Sequence, residues 1–499
     1  MIQQNRTTDA FLGSGITGLD EILRGGLTRD RLYLVEGSPG SGKTTLALQF
    51  LMEGARRGEP VLYVTLSETA AELQGVATAQ GWLLDGIRIH EVLPSESILD
   101  PGEQYSIFHP SDIEMGTTTR AILDVVDELK PIRVVLDSLS ELQLLASSPL
   151  AYRRQVLALK QFFVNRSCTV LFLDDRVARD GDMQVRSIAH GVISLERMGT
   201  DYGGIRRRLE VIKYRGIAFR EGVHDYKIEQ GGLTVFPRLV AADTREIAPR
   251  KQFKSGLAEL DDMLGGGIEE GSSTLISGPP GTGKSTLAAQ LIASCLQQGN
   301  KAAAFLFEES AANFLERADS LRIDLRAGLT DQKLLLKQID PAQQTPGEFV
   351  HSVCRAADNG AKVVAIDSLN GFLQAMPNEK LLATHMHELL TYLGQRGVVT
   401  LLIGVQQGVF GDDISTNLDT SYLADSVILL RYFEAYGEVR QAISIFKKRG
   451  GRHERTIREI SVTLAGIRIG PVLRGFHGVL TGIPRLLDQA HNNDDHLHS

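Results

Sequence analysis

The chain has little sulfur chemistry to offer: three cysteines, Cys168, Cys295 and Cys354, in 499 residues. Their spacing makes neither a metal-ligand set nor a disulfide framework. Each lies in or beside an apolar run, so buried thiols in a reducing cytoplasm are expected. No uninterrupted apolar run approaches the ~20 residues that span a bilayer, and the N-terminus, MIQQNRTTDAFLGSGI, lacks the basic stretch and apolar core of a signal peptide. A soluble cytoplasmic protein with no membrane partner is expected. An excess of positive charge is also missing: 53 Lys and Arg stand against 61 Asp and Glu, for a net charge of -8. Non-specific nucleic-acid binding runs on Lys and Arg neutralising phosphates, so this balance argues against nucleic acid as a partner. The 12 histidines show no ligand spacing. His385 and His387 stand two apart on a helical pattern and face different ways. No Ser/His/Asp triad stands out.

What the chain does have is a copy of itself. The segment SGITGLDEILRGGLTRDRLYLVEGSPGSGKTTLALQ from Ser14 aligns without a gap with SGLAELDDMLGGGIEEGSSTLISGPPGTGKSTLAAQ from Ser255. Roughly half the positions are identical, and the register holds to Gly58 and Gly299. The repeat is far too long for a solenoid unit and reads as a duplicated domain. The first copy runs over about 10–245 and the second over about 250–475. Polar residues from Val240 to Phe253 read as the linker, and the polar tail 488–499 reads as disordered. In each half, short continuous apolar runs alternate with helical patterns. That is the signature of an α/β fold whose mainly parallel sheet is covered by helices on both faces.

Each half carries one phosphate cradle. Gly37, Ser38, Pro39, Gly40, Ser41, Gly42, Lys43 and Thr44 fit G-x-x-x-x-G-K-[ST], and Thr45 follows in the helix. Gly278, Pro279, Pro280, Gly281, Thr282, Gly283, Lys284 and Ser285 fit it again, followed by Thr286. Each match follows a strand pattern and opens a helix, the context in which the motif binds a nucleotide. Glycines let the backbone wrap ATP phosphates with its N–H groups inward, and the helix N-terminus adds partial positive charge. Lys43 and Lys284 would neutralise the β- and γ-phosphates. Thr44 and Ser285 would each give a hydroxyl to Mg²⁺. Asp137 and Asp367 close apolar strands and would complete the Mg²⁺ shell.

Hydrolysis needs a base or a water-positioning group beside the γ-phosphate. Glu308 and Glu309 end the second strand pattern of the second half. The matching residues of the first half are Ser67 and Glu68, so one carboxylate is missing there and the two halves are expected to differ in chemistry. Late in each half a strand carries Lys-x-Arg-Gly, with Lys213 and Arg215 in the first and Lys447 and Arg449 in the second. Facing a neighbouring subunit's nucleotide, such cations would stabilise transition-state charge. The alternative for them is a charged edge strand.

The GLDEIL…GG opening, the paired P-loops, the FEES segment and the Lys-x-Arg-Gly strands together resemble the circadian clock protein KaiC family, within the RecA-like ATPases. The resemblance covers about residues 10–480. It implies two tandem RecA-like P-loop NTPase domains, assembled as a homohexamer of two stacked rings with ATP and Mg²⁺ between adjacent subunits. It implies an ATPase in the first ring and a serine/threonine autokinase in the second. It also implies a KaiB-like or other signalling protein as partner. By resemblance Glu308 activates the acceptor hydroxyl, and Lys447 and Arg449 reach the neighbour's ATP. The family's adjacent Ser-Thr acceptor pair falls here on Ser421 and Tyr422. Tyr422 departs from that pair, since its hydroxyl stands farther from the backbone, and Ser67 departs from the family's first glutamate. Two other readings stay open: a nucleotide-gated hexameric scaffold with little turnover, which the missing carboxylate favours in the first ring, and a RecA-type DNA motor. The motor would need basic, aromatic-studded loops that the sequence does not offer.

Overall fold

In the computed structural model, the described residues are 10–92, 110–175, 183–199, 203–243, 251–374, 382–405, 422–464, 466–479 and 485–486. They divide into two compact units that part between Arg238 and Leu239. The tail 488–499 and Ser421 lie outside the described residues.

The first unit is built on a nine-stranded sheet. Its strands are β1 (Leu32–Gly37), β2 (Val61–Thr65), β3 (Ile87–Glu91), β4 (Arg133–Asp137), β5 (Thr169–Asp175), β6 (Gly191–Met198), β7 (Arg206–Tyr214), β8 (Val223–Glu229) and β9 (Gly232–Phe236). They lie in the order β3-β2-β4-β5-β1-β6-β7-β8-β9. The pairs from β3 to β6 are parallel. The pairs from β6 to β9 are antiparallel hairpins. The second unit repeats this with β10 (Ser273–Gly278), β11 (Lys301–Leu306), β12 (Leu334–Gln338), β13 (Ala361–Asp367), β14 (Val399–Val405), β15 (Ser426–Ala435), β16 (Glu438–Lys448), β17 (Ile457–Thr463) and β18 (Gly466–Val472). Their order, β12-β11-β13-β14-β10-β15-β16-β17-β18, matches the first sheet strand for strand.

The expected two-sided covering is present. Alternate residues of the central strands point into two separate apolar layers. Tyr33, Val35, Tyr63, Val135 and Leu171 pack on the helix Lys43–Arg56 side. Leu34, Leu62, Val134, Leu136 and Phe172 pack under the helix Pro149–Asn165. Helices on both faces explain why the strands read as continuous apolar runs. Arg133 is the exception. It is fully buried, and donates through Nε to Glu59 and through Nη1 to Gly13 O and Phe50 O, so its charge is paired, while its Nη2 is buried without a hydrogen-bond partner among the described residues.

Within the second unit, the residues read as linker are partly structured. Ala241 is buried and its N–H donates to Glu388 at 2.8 Å, and Gln252–Phe253 pairs with Ile268–Glu269. Cys168 and Cys295 are buried as expected. Cys354 is only half-buried, which corrects the expectation for that thiol, and none of the three is in a disulfide. Among the described residues no helix is long and apolar enough to cross a membrane.

Candidate nucleotide sites

Parallel strands deliver their carboxyl ends to one edge of a sheet, and ligands in open α/β folds bind at that edge. The sequence-predicted residues gather there. Gly37 ends β1, Glu68 follows β2, and Asp137 ends β4. In the second unit Gly278, Glu308 and Asp367 take the same places on β10, β11 and β13.

The cradles depend on backbone that only glycine adopts readily. Gly40 and Gly42 sit at φ +75° and +98°, and Gly281 and Gly283 at +79° and +90°. Gly42 and Gly283 each stand one residue before a helix, which begins at Lys43 and Lys284. The Ser41 N–H donates to Ser38 O and the Thr282 hydroxyl to Pro279 O, closing each loop into a tight turn over Pro39 and Pro280. Thr44 and Thr45, and Ser285 and Thr286, open the first turn of the following helices.

Both lysines are buried in their loops. Lys284 Nζ donates to Pro279 O at 2.8 Å, and burial lowers the pKa of its ammonium while Asp367 and Glu308 oppose the shift. Lys43 Nζ donates to Gly37 O at 2.9 Å and forms an ion pair with Asp175 at 2.7 Å.

Both strand-end aspartates fit a magnesium-binding role. The Ser285 hydroxyl is within hydrogen-bonding reach of Asp367, and the Thr44 hydroxyl within reach of Asp137. Asp367 Oδ2 is buried with no partner among the described residues, an orphan acceptor that a hydrated cation would satisfy. Burial raises the pKa of both carboxyls. In the first unit alone, Tyr63 Oη donates to Asp137 Oδ2 at 2.6 Å. The matching residue in β11 is Ala304, which has no such donor.

The expected difference between the halves is larger than one missing carboxylate. Glu309 is held by Arg317 at 2.6 Å, whereas Glu308 is exposed and accepts from the Ser368 hydroxyl. In the first unit the residue in register with Arg317 is Val76. Glu68 therefore has no arginine there, and its Oε2 is buried without a hydrogen-bond partner among the described residues. Burial raises its pKa, and the charge of Asp137 adds to the shift. The backbone of Glu68 is pinned in turn: its N–H donates to Thr65 Oγ1 and its carbonyl accepts from the same hydroxyl.

The Lys-x-Arg-Gly cations lie at the ends of β7 and β16. In each half a bulge immediately precedes the lysine: Ile212 of β7 is the extra residue opposite Val192 and Ile193, and Phe446 of β16 the extra residue opposite Val427 and Ile428. A bulge re-aims the side chain that follows it. Within the chain these cations grip the segment leading into β6 or β15. Lys213 donates to Arg186 O at 2.7 Å and Arg215 to Ser187 O at 2.8 Å. Lys447 donates to Ala424 O at 2.9 Å and Arg449 to Tyr422 O at 3.0 Å. Tyr422 is half exposed.

Sequence reasoning passed over Asp175, Tyr63 and Arg317. Asp175 carried the same signal as Asp137, an acidic residue closing an apolar strand. Tyr63 and Arg317 carried none, because each acts across strands or along a helix face.

Two nine-stranded sheets, each with a phosphate cradle and strand-end carboxylates at its carboxyl edge, define a tandem P-loop ATPase of the RecA-like class. The model of the KaiC ATPase family matches residues 12–240 and again 253–474, and the chain belongs to that family. The chain is 28% identical to the circadian clock protein KaiC3 of Synechocystis sp., over 98% of this chain and 97% of that protein. It is 28% identical to the circadian clock oscillator protein KaiC of Thermostichus vulcanus, over 94% and 90%. With that of Synechococcus elongatus it shares 27% identity over 94% and 91%.

Proposed function

We propose that this ATPase is also a serine/threonine autokinase, with the kinase centre in the second domain, and that it works in signalling or timing as a homohexameric ring. The observation that carries the kinase reading is the division of labour between Glu308 and Glu309. Arg317 neutralises Glu309, while Glu308 stays exposed and accepts a hydrogen bond from a hydroxyl, that of Ser368. A carboxylate already accepting from one serine is suited to accept the proton of another.

Ser421 is the proposed acceptor, with Tyr422 beside it. Its oxygen attacks the γ-phosphorus, the bond to the β-γ bridging oxygen breaks, ADP leaves, and Glu308 receives the hydroxyl proton. Lys284 offsets the charge that builds on the β-phosphate. Ser285 and Asp367 here, and Thr44 and Asp137 in the first site, would hold Mg²⁺, which would supply further charge neutralisation when bound. Assembly brings Lys447 and Arg449 of one subunit toward the ATP of the next, and Lys213 and Arg215 likewise in the first ring. The three thiols, none of them in a disulfide, suit a reducing cytoplasm.

The test is phosphopeptide mass spectrometry after incubation with Mg-ATP, with Glu308→Gln run in parallel. Phosphate on Ser421 or Tyr422 in the parent and its loss in the variant is expected. Turnover of ATP with no phosphate anywhere in the chain would leave the ATPase and remove the kinase.

A further inference from the structure

The first domain holds its P-loop lysine in a way the second does not. β5 lies next to β1, with Asp175 directly opposite Gly37. That register puts the Asp175 carboxylate 2.7 Å from Lys43 Nζ. In the second domain β14 lies next to β10 in the same register, and Val405 stands opposite Gly278. Valine offers Lys284 no acceptor.

An ammonium has three N–H donors. Those of Lys43 go to Gly37 O at 2.9 Å, Ser38 O at 3.4 Å and Asp175. Among the described residues, Lys284 donates only to Pro279 O. A phosphate oxygen arriving at Lys43 must take a donor from an acceptor already in place. The two carbonyls belong to the cradle itself, so the exchangeable acceptor is Asp175, whose side chain is 38% exposed. Once displaced, its negative charge stays beside the phosphates.

We infer that Asp175 is a latch on Lys43. It competes with the β- and γ-phosphates for the ammonium, and so weakens nucleotide binding at the first site and speeds nucleotide exchange there. Asp175 is a positioning residue acting through Lys43. The inference rests on the first P-loop binding ATP.

The test uses the full chain carrying Lys284→Ala, so that binding of the fluorescent nucleotide mant-ATP reports the first site. Competition of Asp175 and the phosphates for one ammonium is a coupling free energy, and such couplings are typically factors of about five or more, so Asp175→Asn is expected to tighten the dissociation constant by about fivefold to tenfold. Asp175→Val, which copies the second domain, should do the same, and Asp175→Glu should stay near the parent. The gain should shrink in high salt, which screens the removed charge. An unchanged dissociation constant in both neutral variants would overturn the latch. So would a fall in kcat at constant binding, which would make Asp175 a catalytic group instead. If Asp175→Val unfolds, the isosteric Asn variant decides alone. Lys43→Ala separates the inference from its premise: if it leaves mant-ATP binding intact, the premise fails and the latch with it. If it abolishes binding, the Asp175 variants decide.

Discussion

Glu68→Gln is the sharpest perturbation of the first ATPase centre. In a chain also carrying Lys284→Ala, turnover reports that centre alone. Ser67 offers no carboxylate, and Glu68 is not tied to an arginine as Glu309 is. If Glu68 is the base, its loss should cost what general-base catalysis supplies, about 10²–10⁴-fold. That corresponds to about 3–5 kcal/mol of barrier. Folding should not suffer, because the amide replaces a charge whose buried Oε2 has no hydrogen-bond partner among the described residues. The pH profile gives a second readout. A base must be ionised to act, and burial together with Asp137 raises the Glu68 pKa. Turnover should therefore fall, as pH drops, through a value above the ordinary carboxylate range, and the glutamine variant should lack that limb. A steady-state phosphate-release assay measures both. Turnover within about threefold of the parent, a negligible barrier change on the same scale, would refute the assignment.

Two further outcomes follow from the first domain. His224 is fully buried; its Nδ1 accepts from Arg238 N–H at 2.9 Å and its Nε2 faces Arg220 O at 3.1 Å, a pairing that only the neutral ring makes. Burial pushes its pKa down to about 4 from 6.5. The unfolded chain therefore binds a proton that the folded one refuses, and stability, full above about pH 6.5, should fall by about 3 kcal/mol as pH drops toward 4. Urea unfolding across that window measures it, and His224→Gln should flatten the slope by one proton. Gly42→Ala should cost about 1–2 kcal/mol for a left-handed alanine, and should also disturb the loop, since its Cβ would sit 2.4 Å from Ile228 Cδ1 at φ +98°. Thermal unfolding and mant-ATP titration measure the two effects, and an alanine variant that binds normally would contradict this account of the cradle.

Much of this was legible in the residue order. The duplication lay in aligned residues such as Asp20 with Asp261 and Lys43 with Lys284. The P-loops were legible because a phosphate cradle is built from contiguous backbone, so its glycines must be neighbours in the sequence. Asp137 and Asp367 were legible because a parallel strand buried on both faces reads as an apolar run and its first polar residue marks the site edge. Asp175 carried that signal too, yet nothing local says that β5 lies against β1. Strand order is not sequence order, so the acidic residue that reaches Lys43 is chosen by the sheet.

The sequence by itself determined the two α/β domains, the two cradles and the absence of a carboxylate at Ser67, because each depends on residue type along a short stretch. Only the tertiary structure decided which carboxylates are available for chemistry. Arg317 reaches back from its helix to take Glu309, Val76 leaves Glu68 unpaired by arginine, Tyr63 reaches Asp137 across adjacent strands, and Asp175 holds Lys43. Charge and hydrogen-bond partners act over a few ångströms in space, and folding alone brings residues so distant in the chain within that reach.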